Sequence, residues 1–98
     1  MNLKIHSIKF NADTKLLHFT QKKLDKLDKF FDRIVDGEVY LKLNNEGVDN
    51  KTVEIKLNLP GEQLFTEASA TTFEQAIEKS GKILKRKLRD HKEKLITH

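Results

Sequence analysis

The chain has no cysteine, no tryptophan, one proline and four glycines among its 98 residues. The absence of cysteine excludes disulfide bonds, thiolate metal sites and thiol nucleophiles. No apolar run approaches the roughly 20 residues that a membrane-spanning helix requires, and residues 1–10 alternate in polarity where a signal peptide would be continuously apolar. We therefore expect a soluble domain in a reducing, cytoplasmic environment, without a membrane partner.

Sequence motifs of enzyme chemistry are also missing. There is no Gly-rich phosphate loop, no nucleophile elbow and no H-E-x-x-H pair. The histidines are His6, His18, His91 and His98. They lack the close paired spacing of zinc ligands, and His91 falls on the apolar stripe of a predicted helix, which favours a structural role. The sequence thus predicts a protein that is not an enzyme, with no catalytic residue, metal, cofactor or small-molecule substrate.

What the chain does contain is charge, with 19 Lys and Arg against 15 Asp and Glu and a formal net charge of +4. A content of 37% hydrophobic and 35% charged residues is typical of a globular chain, and this length predicts a single domain over residues 1–98. The charge is divided unevenly. Residues 36–70 carry seven acidic and three basic side chains, whereas residues 72–98 carry eight basic and four acidic ones. Such an uneven distribution of charge favours a polyanionic partner.

Residues 72–98 have the periodicity of one amphipathic helix, which Thr72 and Gln75 begin with a capping box. Its apolar stripe consists of Phe73, Ile77, Ser80, Leu84, Leu88, His91 and Leu95. On the opposite side lie Lys79, Lys82, Arg86 and Arg89. Folding requires the apolar stripe but does not require a basic outer face. That face is either an ordinary solvated surface or a binding surface, and the second interpretation is favoured because another basic helix precedes it.

That first helix is predicted from Thr14 to about Arg33, with Asp13 as its N-cap. Its stripe contains Leu17, Thr20, Leu24, Leu27 and Phe31, and its far side carries Lys15, Lys22, Lys26, Lys29 and Arg33. Interspersed carboxylates are expected to form surface ion pairs with these lysines instead of an acid/base couple. They are Asp25, Asp28 and Asp32. Phe19 and Phe30 lie off the stripe, either in a seam between helices or partly exposed.

Four segments alternate with the period of half-buried strands, namely residues 2–10, 38–44, 51–59 and 63–70. The alternation of the first segment slips after Ser7, which is consistent with a bulge. Pro60-Gly61 suits the centre of a type II turn between the last two strands. Tyr40 falls on the outward side of its strand, where an exposed cross-strand contact is favoured over stacking on a base.

These elements predict an α+β fold with the order βαβββα. Two helices with single apolar stripes and four one-sided strands fit a four-stranded mixed sheet with both helices on one face. The first crossover makes strands one and two parallel, and the other strands form an antiparallel meander. Docking both stripes on one sheet turns both basic faces to the same side of the molecule, so the two faces are expected to merge.

The segment Lys23–Ile34, KLDKLDKFFDRI, resembles the end of the first helix in the ribosome hibernation promoting factor family. This family includes the ribosome-associated inhibitor and was once described as sigma-54 modulation protein. The last helix is also similar to the family pattern, at Ala76-Ile77-Glu78 and at residues 91–95. The resemblance extends over the whole chain, and from the chain's length we expect a short form without the dimer-forming second domain of the long members.

This resemblance implies a protein that binds the small ribosomal subunit in the channel for messenger and transfer RNA. Binding there would inhibit translation under stress or in stationary phase and favour inactive ribosome dimers. We expect the free protein to be a monomer and its partners to be ribosomal RNA and ribosomal proteins. Carried over by position, the RNA-contacting candidates are Lys22, Lys23, Lys26, Lys79, Lys82, Lys85, Arg86, Arg89 and Lys92.

Two other functions stay open at the level of sequence. The βββα half of the chain resembles a general double-stranded RNA-binding module, although the loop of residues 44–50 lacks the basic cluster that such a module would use. The older family name also suggests a regulator that binds protein alone. Cosedimentation with small ribosomal subunits would support the ribosomal hypothesis. Equal binding to any RNA duplex would support the double-stranded RNA-binding module.

Overall fold

The computed structural model describes residues 1–96. Its elements, in chain order, are β1 (Leu3–Ile8), α1 (Thr14–Phe30), β2 (Asp36–Leu43), β3 (Lys51–Leu59), β4 (Glu62–Ala70) and α2 (Phe73–Ile96). The predicted order βαβββα is therefore confirmed. His98, one of the histidines considered as a metal ligand, lies outside the described residues.

The strands form one sheet in the order β1-β2-β3-β4. β1 is parallel to β2, with Leu3 opposite Gly37, and the remaining pairs are antiparallel. Leu59 pairs with Glu62 across the two-residue turn, where Gly61 has a φ of +76°. That left-handed conformation suits glycine at the second central position of a type II turn, as the sequence predicts.

The predicted bulge in β1 is wrong. Pairing with β2 runs without interruption from Leu3 to Ile8, where the strand ends, and the next residue, Lys9, has a φ of +70°. The slip in polarity instead marks the point where the chain leaves the sheet. Phe10 crosses to the helical side and stacks on Phe73, with 4.7 Å between the ring centroids. This contact ties the start of the chain to the first turn of α2.

The core lies between the sheet and the two helices. Both helices pack on the same face of the sheet, which confirms the predicted layers. The sheet contributes the fully buried Val39, Leu41, Val53, Ile55 and Leu57, α1 contributes Leu24 and Leu27, and α2 contributes Ile77, Leu84 and Leu88. Most of the predicted stripe of α2 is thus core. Leu95 is an exception, because α2 continues past the sheet and leaves that side chain 48% exposed.

The helix ends show local chemistry that fixes their positions. Asp13 Oδ1 accepts a hydrogen bond from the Leu16 N–H at 2.8 Å, which confirms the N-cap of α1. α1 ends at Phe30, earlier than the predicted Arg33, because Phe31 adopts an extended conformation that buries its ring. At α2, the Thr72 hydroxyl accepts from the Gln75 N–H at 3.1 Å. The Gln75 side-chain oxygen accepts from the Thr71 hydroxyl at 2.7 Å, so the Gln75 side chain binds Thr71, the residue before the cap.

Candidate nucleic-acid interface

α1 and α2 lie side by side and enclose a groove of about 530 Å³, called here the interhelical groove. It is lined by Lys23, Lys26, Leu27, Lys29, Phe30, Ile77, Glu78, Gly81, Lys82 and Lys85. Leu27 and Ile77 are core residues whose edges form its floor. The groove therefore has an apolar base and a rim of cations contributed by both helices.

Side chains of α1 and α2 contact each other across and beside the interhelical groove. Lys23 Nζ lies 3.0 Å from Glu78 Oε1, and this ion pair lowers the pKa of the Glu78 carboxyl. Further along, Lys85 Nζ lies 5.5 Å from the centroid of the Phe30 ring. Lys92 approaches the same ring to 5.0 Å and donates a hydrogen bond to the Phe30 carbonyl at 3.3 Å. Phe30 thus occupies the seam between the helices, one of the two positions that its sequence allowed.

The structure brings eight of the nine sequence-predicted contact residues onto one surface. We name this surface the helical basic surface: it comprises Lys22, Lys23, Lys26, Lys29, Lys82, Lys85, Arg86, Arg89 and Lys92. Lys82, Arg86 and Arg89 border a further depression beside Phe30. Most of these side chains are exposed, whereas Lys23 and Lys92 are partly buried. The predicted merging of the two basic faces is therefore present, and their contact with RNA stays a prediction.

Lys79 is the predicted residue that lies apart. Its ammonium group donates a hydrogen bond to the Ser69 carbonyl at 3.1 Å, on the outer edge of β4. Lys87 donates likewise to the Phe65 carbonyl. Both lysines project from the side of α2 that faces away from α1. Helical periodicity places Lys79 correctly opposite the core but gives no information about which neighbouring element it reaches.

Lys29 belongs to the helical basic surface but is absent from the nine predicted contact residues. It lines the interhelical groove together with Lys26. A signal was present in the sequence, because Lys29 follows Lys22 by seven residues and Lys26 by three and therefore shares their helix face. Gly81 carries no charge or motif, and only the three-dimensional structure identifies it as part of the groove.

The expected ion pairs between α1 carboxylates and α1 lysines are wrong for Asp25 and Asp28. Both carboxylates instead bind the Met1 ammonium group, at 2.7 and 2.5 Å. This contact raises the pKa of the ammonium, chiefly through Asp25, and lowers the pKa of the Asp25 carboxyl. Gln21 adds a hydrogen bond to Asp25 at 2.9 Å. Both carboxylates thus bind the start of the chain, and Asp25 also lines the depression that contains Lys22, Lys26 and Lys29.

The opposite face of the sheet has mixed charge. Tyr40 stacks on His6 with 4.8 Å between centroids, and Lys56 Nζ lies 5.8 Å from the Tyr40 ring. The Tyr40 hydroxyl donates to Glu38 at 3.0 Å, which raises the pKa of the tyrosine and lowers that of the glutamate. The cross-strand role predicted for Tyr40 is confirmed. Lys42 forms an ion pair with Glu54 on the same face, so positive charge is not accumulated there.

His91 has the boundary role that its position on the stripe predicts. Its side chain is 10% exposed, Nδ1 lies 2.5 Å from Glu62 Oε2, and its ring meets the Phe31 ring edge-on at 5.5 Å. Across residues 1–96, no three His, Asp or Glu side chains are grouped so as to hold a metal ion. Within the same range, no helix is both long and apolar enough to cross a membrane.

A small α+β domain with cations of two helices on one side has the charge distribution expected of a protein that binds a polyanion. Residues 3–96 match the family described as Sigma 54 modulation protein / S30EA ribosomal protein. The chain belongs to this family, which confirms the resemblance carried by its two helices.

Individual relatives agree with this membership. The Ribosome hibernation promotion factor of Deinococcus radiodurans is 35% identical over 78 residues, which cover 76% of this chain and 40% of that protein. This chain thus spans about two fifths of the length of that relative. A ribosomal subunit interface protein from Coxiella burnetii superposes with a TM-score of 0.85 at 20% identity, over 94% of this chain and 98% of the other. The N-terminal domain of Thermus thermophilus Protein Y gives 0.80 at 22%, over 93% and 99%. At these identities the two structures support the fold alone.

Proposed function

We propose that this chain is a ribosome hibernation factor. It binds the small ribosomal subunit in the channel for messenger and transfer RNA and inhibits translation under stress or in stationary phase. The observation that carries the proposal is the helical basic surface, on which cations of α1 and α2 combine on one side of the molecule. Family membership and the hibernation promotion factor of Deinococcus radiodurans support the same function.

The mechanism is occupancy without chemistry. Lysine and arginine side chains neutralise phosphates of a folded RNA and release its condensed counterions, which supplies binding free energy regardless of base sequence. The domain then excludes other ligands from the cleft by its volume and charge. In this proposal the protein is a cytoplasmic monomer without a cofactor, it is a binding protein and not an enzyme, and it favours inactive ribosome dimers.

A matched pair of double variants tests the proposal. Lys26→Gln with Lys82→Gln removes one cation from each side of the interhelical groove, whereas Lys4→Gln with Lys56→Gln removes the same charge from the opposite side of the molecule. We expect the first variant to cosediment less with small ribosomal subunits and to reduce the magnitude of the negative slope of log K against log salt by about two. The second variant should bind and inhibit in vitro translation like the wild type.

Equal loss of binding in both double variants would contradict the assignment of the surface, because only total charge would then matter. Equal affinity for small subunits and for any RNA duplex would favour the general double-stranded RNA-binding module. The structure gives that alternative little support, since the loop between β2 and β3 carries Glu46 and Asp49 but no basic side chain.

A further inference from the structure

The interhelical groove differs from the surrounding helical basic surface in its floor. Leu27 is 5% exposed and Ile77 is fully buried, so the groove ends on core side chains and not on charged ones. Phe30 adds a partly exposed aromatic ring at one end. Its volume of about 530 Å³ is in the range of small-molecule binding sites. Phosphate neutralisation alone requires no such apolar recess.

Gly81 holds the groove open. It lies within α2, where glycine is among the least favourable residues for helix stability. A Cβ atom added to Gly81 would have no other heavy atom within 4 Å, so no close packing demands glycine at this position. Any larger residue would project a side chain into the space between α1 and α2. The unfavourable helix residue thus coincides with the site where a side chain would fill the groove.

We propose that the interhelical groove receives an unstacked nucleobase from a single-stranded or looped segment of RNA. The base enters beside Gly81, contacts the apolar floor and stacks on the Phe30 ring, while the flanking phosphates contact the lysine rim. This inference rests on the proposed function and deepens it by naming unpaired nucleotides as the element bound. Base stacking on aromatic side chains tolerates any sequence, because every base has a π-face.

The charge of the rim favours RNA over a protein segment. The groove is lined by Lys23, Lys26, Lys29, Lys82 and Lys85. Among the described residues that line it, the one carboxylate is Glu78, and Lys23 already pairs with it. Lys85 and Lys92 lie over the Phe30 ring on long, flexible side chains. They can turn toward phosphates as a base takes their place on the ring.

The test compares two probes of equal length and equal phosphate number, a short oligoadenylate and an abasic ribose-phosphate oligomer. Wild-type protein should bind the oligoadenylate about tenfold more tightly, the factor expected from one stacked base. Gly81→Met fills the groove and should bind both probes equally. Gln75→Met places the same side chain on the exposed first turn of α2 and should retain the wild-type discrimination.

A second variant reports the stacking of the base on residue 30 by fluorescence. Because the chain contains no tryptophan, Phe30→Trp introduces a single indole fluorophore at the groove. Oligoadenylate should quench its emission by stacking, and the abasic oligomer should not. This measurement applies even if Gly81→Met lowers the stability of the fold.

The inference is wrong if the wild type binds both probes equally or if Gly81→Met still discriminates between them. It is also wrong if polyglutamate displaces oligoadenylate and oligoadenylate does not quench the introduced indole. That last result would indicate an acidic peptide partner. Cosedimentation of the wild type with small ribosomal subunits separates the two proposals. If subunits bind but the probes are not distinguished, the proposed function stands and the base-binding groove does not.

Discussion

Gly37 lies at a position in β2 where there is little space for a side chain. A Cβ atom at this position would lie 2.8 Å from Leu3 Cδ2, 2.9 Å from Leu57 Cδ2 and 3.2 Å from the Lys56 carbonyl oxygen. Gly37→Ala should therefore lower the free energy of unfolding by about 1–3 kcal/mol, as expected for overpacking a core. Chemical denaturation measures the loss. Unchanged stability would show that the Leu3 and Leu57 side chains repack to admit the methyl group.

Gly81→Ala is the matched control for stability. The methyl group would have no heavy atom within 4 Å, and alanine is favoured over glycine inside a helix by about 1 kcal/mol. The same substitution should thus stabilise the protein at residue 81 and destabilise it at residue 37. Denaturation curves of the two variants should shift in opposite directions.

Asp25 makes the stability depend on pH. Its folded-state pKa is lowered by the Met1 ammonium, so its contribution is full above the unfolded pKa of about 3.9 and is lost as pH falls through the lower folded value. The ammonium has a raised pKa, so its contribution is full below its ordinary value of 8.0 and is lost at higher pH. The side chain of Asp25 is 45% exposed, which limits the effect to below about 1 kcal/mol.

Asp25→Asn should therefore lower the thermal stability between about pH 4 and pH 8 and have a smaller effect outside this window. Thermal unfolding across a pH series measures the difference between variant and wild type. A difference that is constant from about pH 3 to about pH 10 would show that the charge of Asp25 makes no contribution.

At the scale of elements, the stripe of α2 divides into a docked part and a part that extends past the sheet. Leu84 is fully buried, so Leu84→Asp removes apolar contacts and buries a carboxylate, with an expected loss of at least about 3 kcal/mol. Leu95→Asp makes the same chemical change at a side chain that is 48% exposed and should alter stability little. Thermal unfolding compares the two variants, and equal losses would contradict the boundary of the core.

Periodicity predicts the elements well, because α1 and α2 each bury one stripe and the central strands β2 and β3 bury alternate residues along most of their length. Residues 51–59 match β3 at both ends. The errors occur where tertiary contacts override local pattern. Phe31 leaves the helical conformation in order to bury its ring, and Phe10 leaves the sheet in order to stack on Phe73. Both contacts are made with residues distant in the sequence, so the spacing of neighbouring residues cannot predict them.

At the scale of the whole molecule, the sequence predicts the side on which charge accumulates but not how the individual charges are engaged. The positions of Asp25 and Asp28 among lysines favoured pairing within α1, whereas the fold brings the distant Met1 ammonium to them. The helix angle places Lys79 beside Lys82, whereas the Lys79 ammonium group donates to the carbonyl of Ser69 in β4. Contacts between elements decide these outcomes, and they depend on the packing of α1 and α2 on the sheet.

The concentration of cations on one side leads to a whole-molecule prediction. If the helical basic surface contacts about five phosphates, a tenfold rise in salt should weaken binding to small ribosomal subunits by roughly three to five orders of magnitude. Cosedimentation at a series of potassium concentrations measures the slope. A change of less than one order of magnitude would show that phosphate contacts do not dominate the association.

The two lysines that bind the outer edge of β4 have a consequence for self-association. The carbonyl groups of Phe65 and Ser69 are positions at which the amides of an added strand from another copy would pair, and both already accept from lysine side chains. An incoming strand must displace two ammonium groups that repel any similarly basic chain. Substitution of both Lys79 and Lys87 should expose the outer edge of β4 beside Phe65, whose side chain is 42% exposed. Copies of the chain could then pair along this edge and polymerise into fibres, which light scattering at high protein concentration would detect.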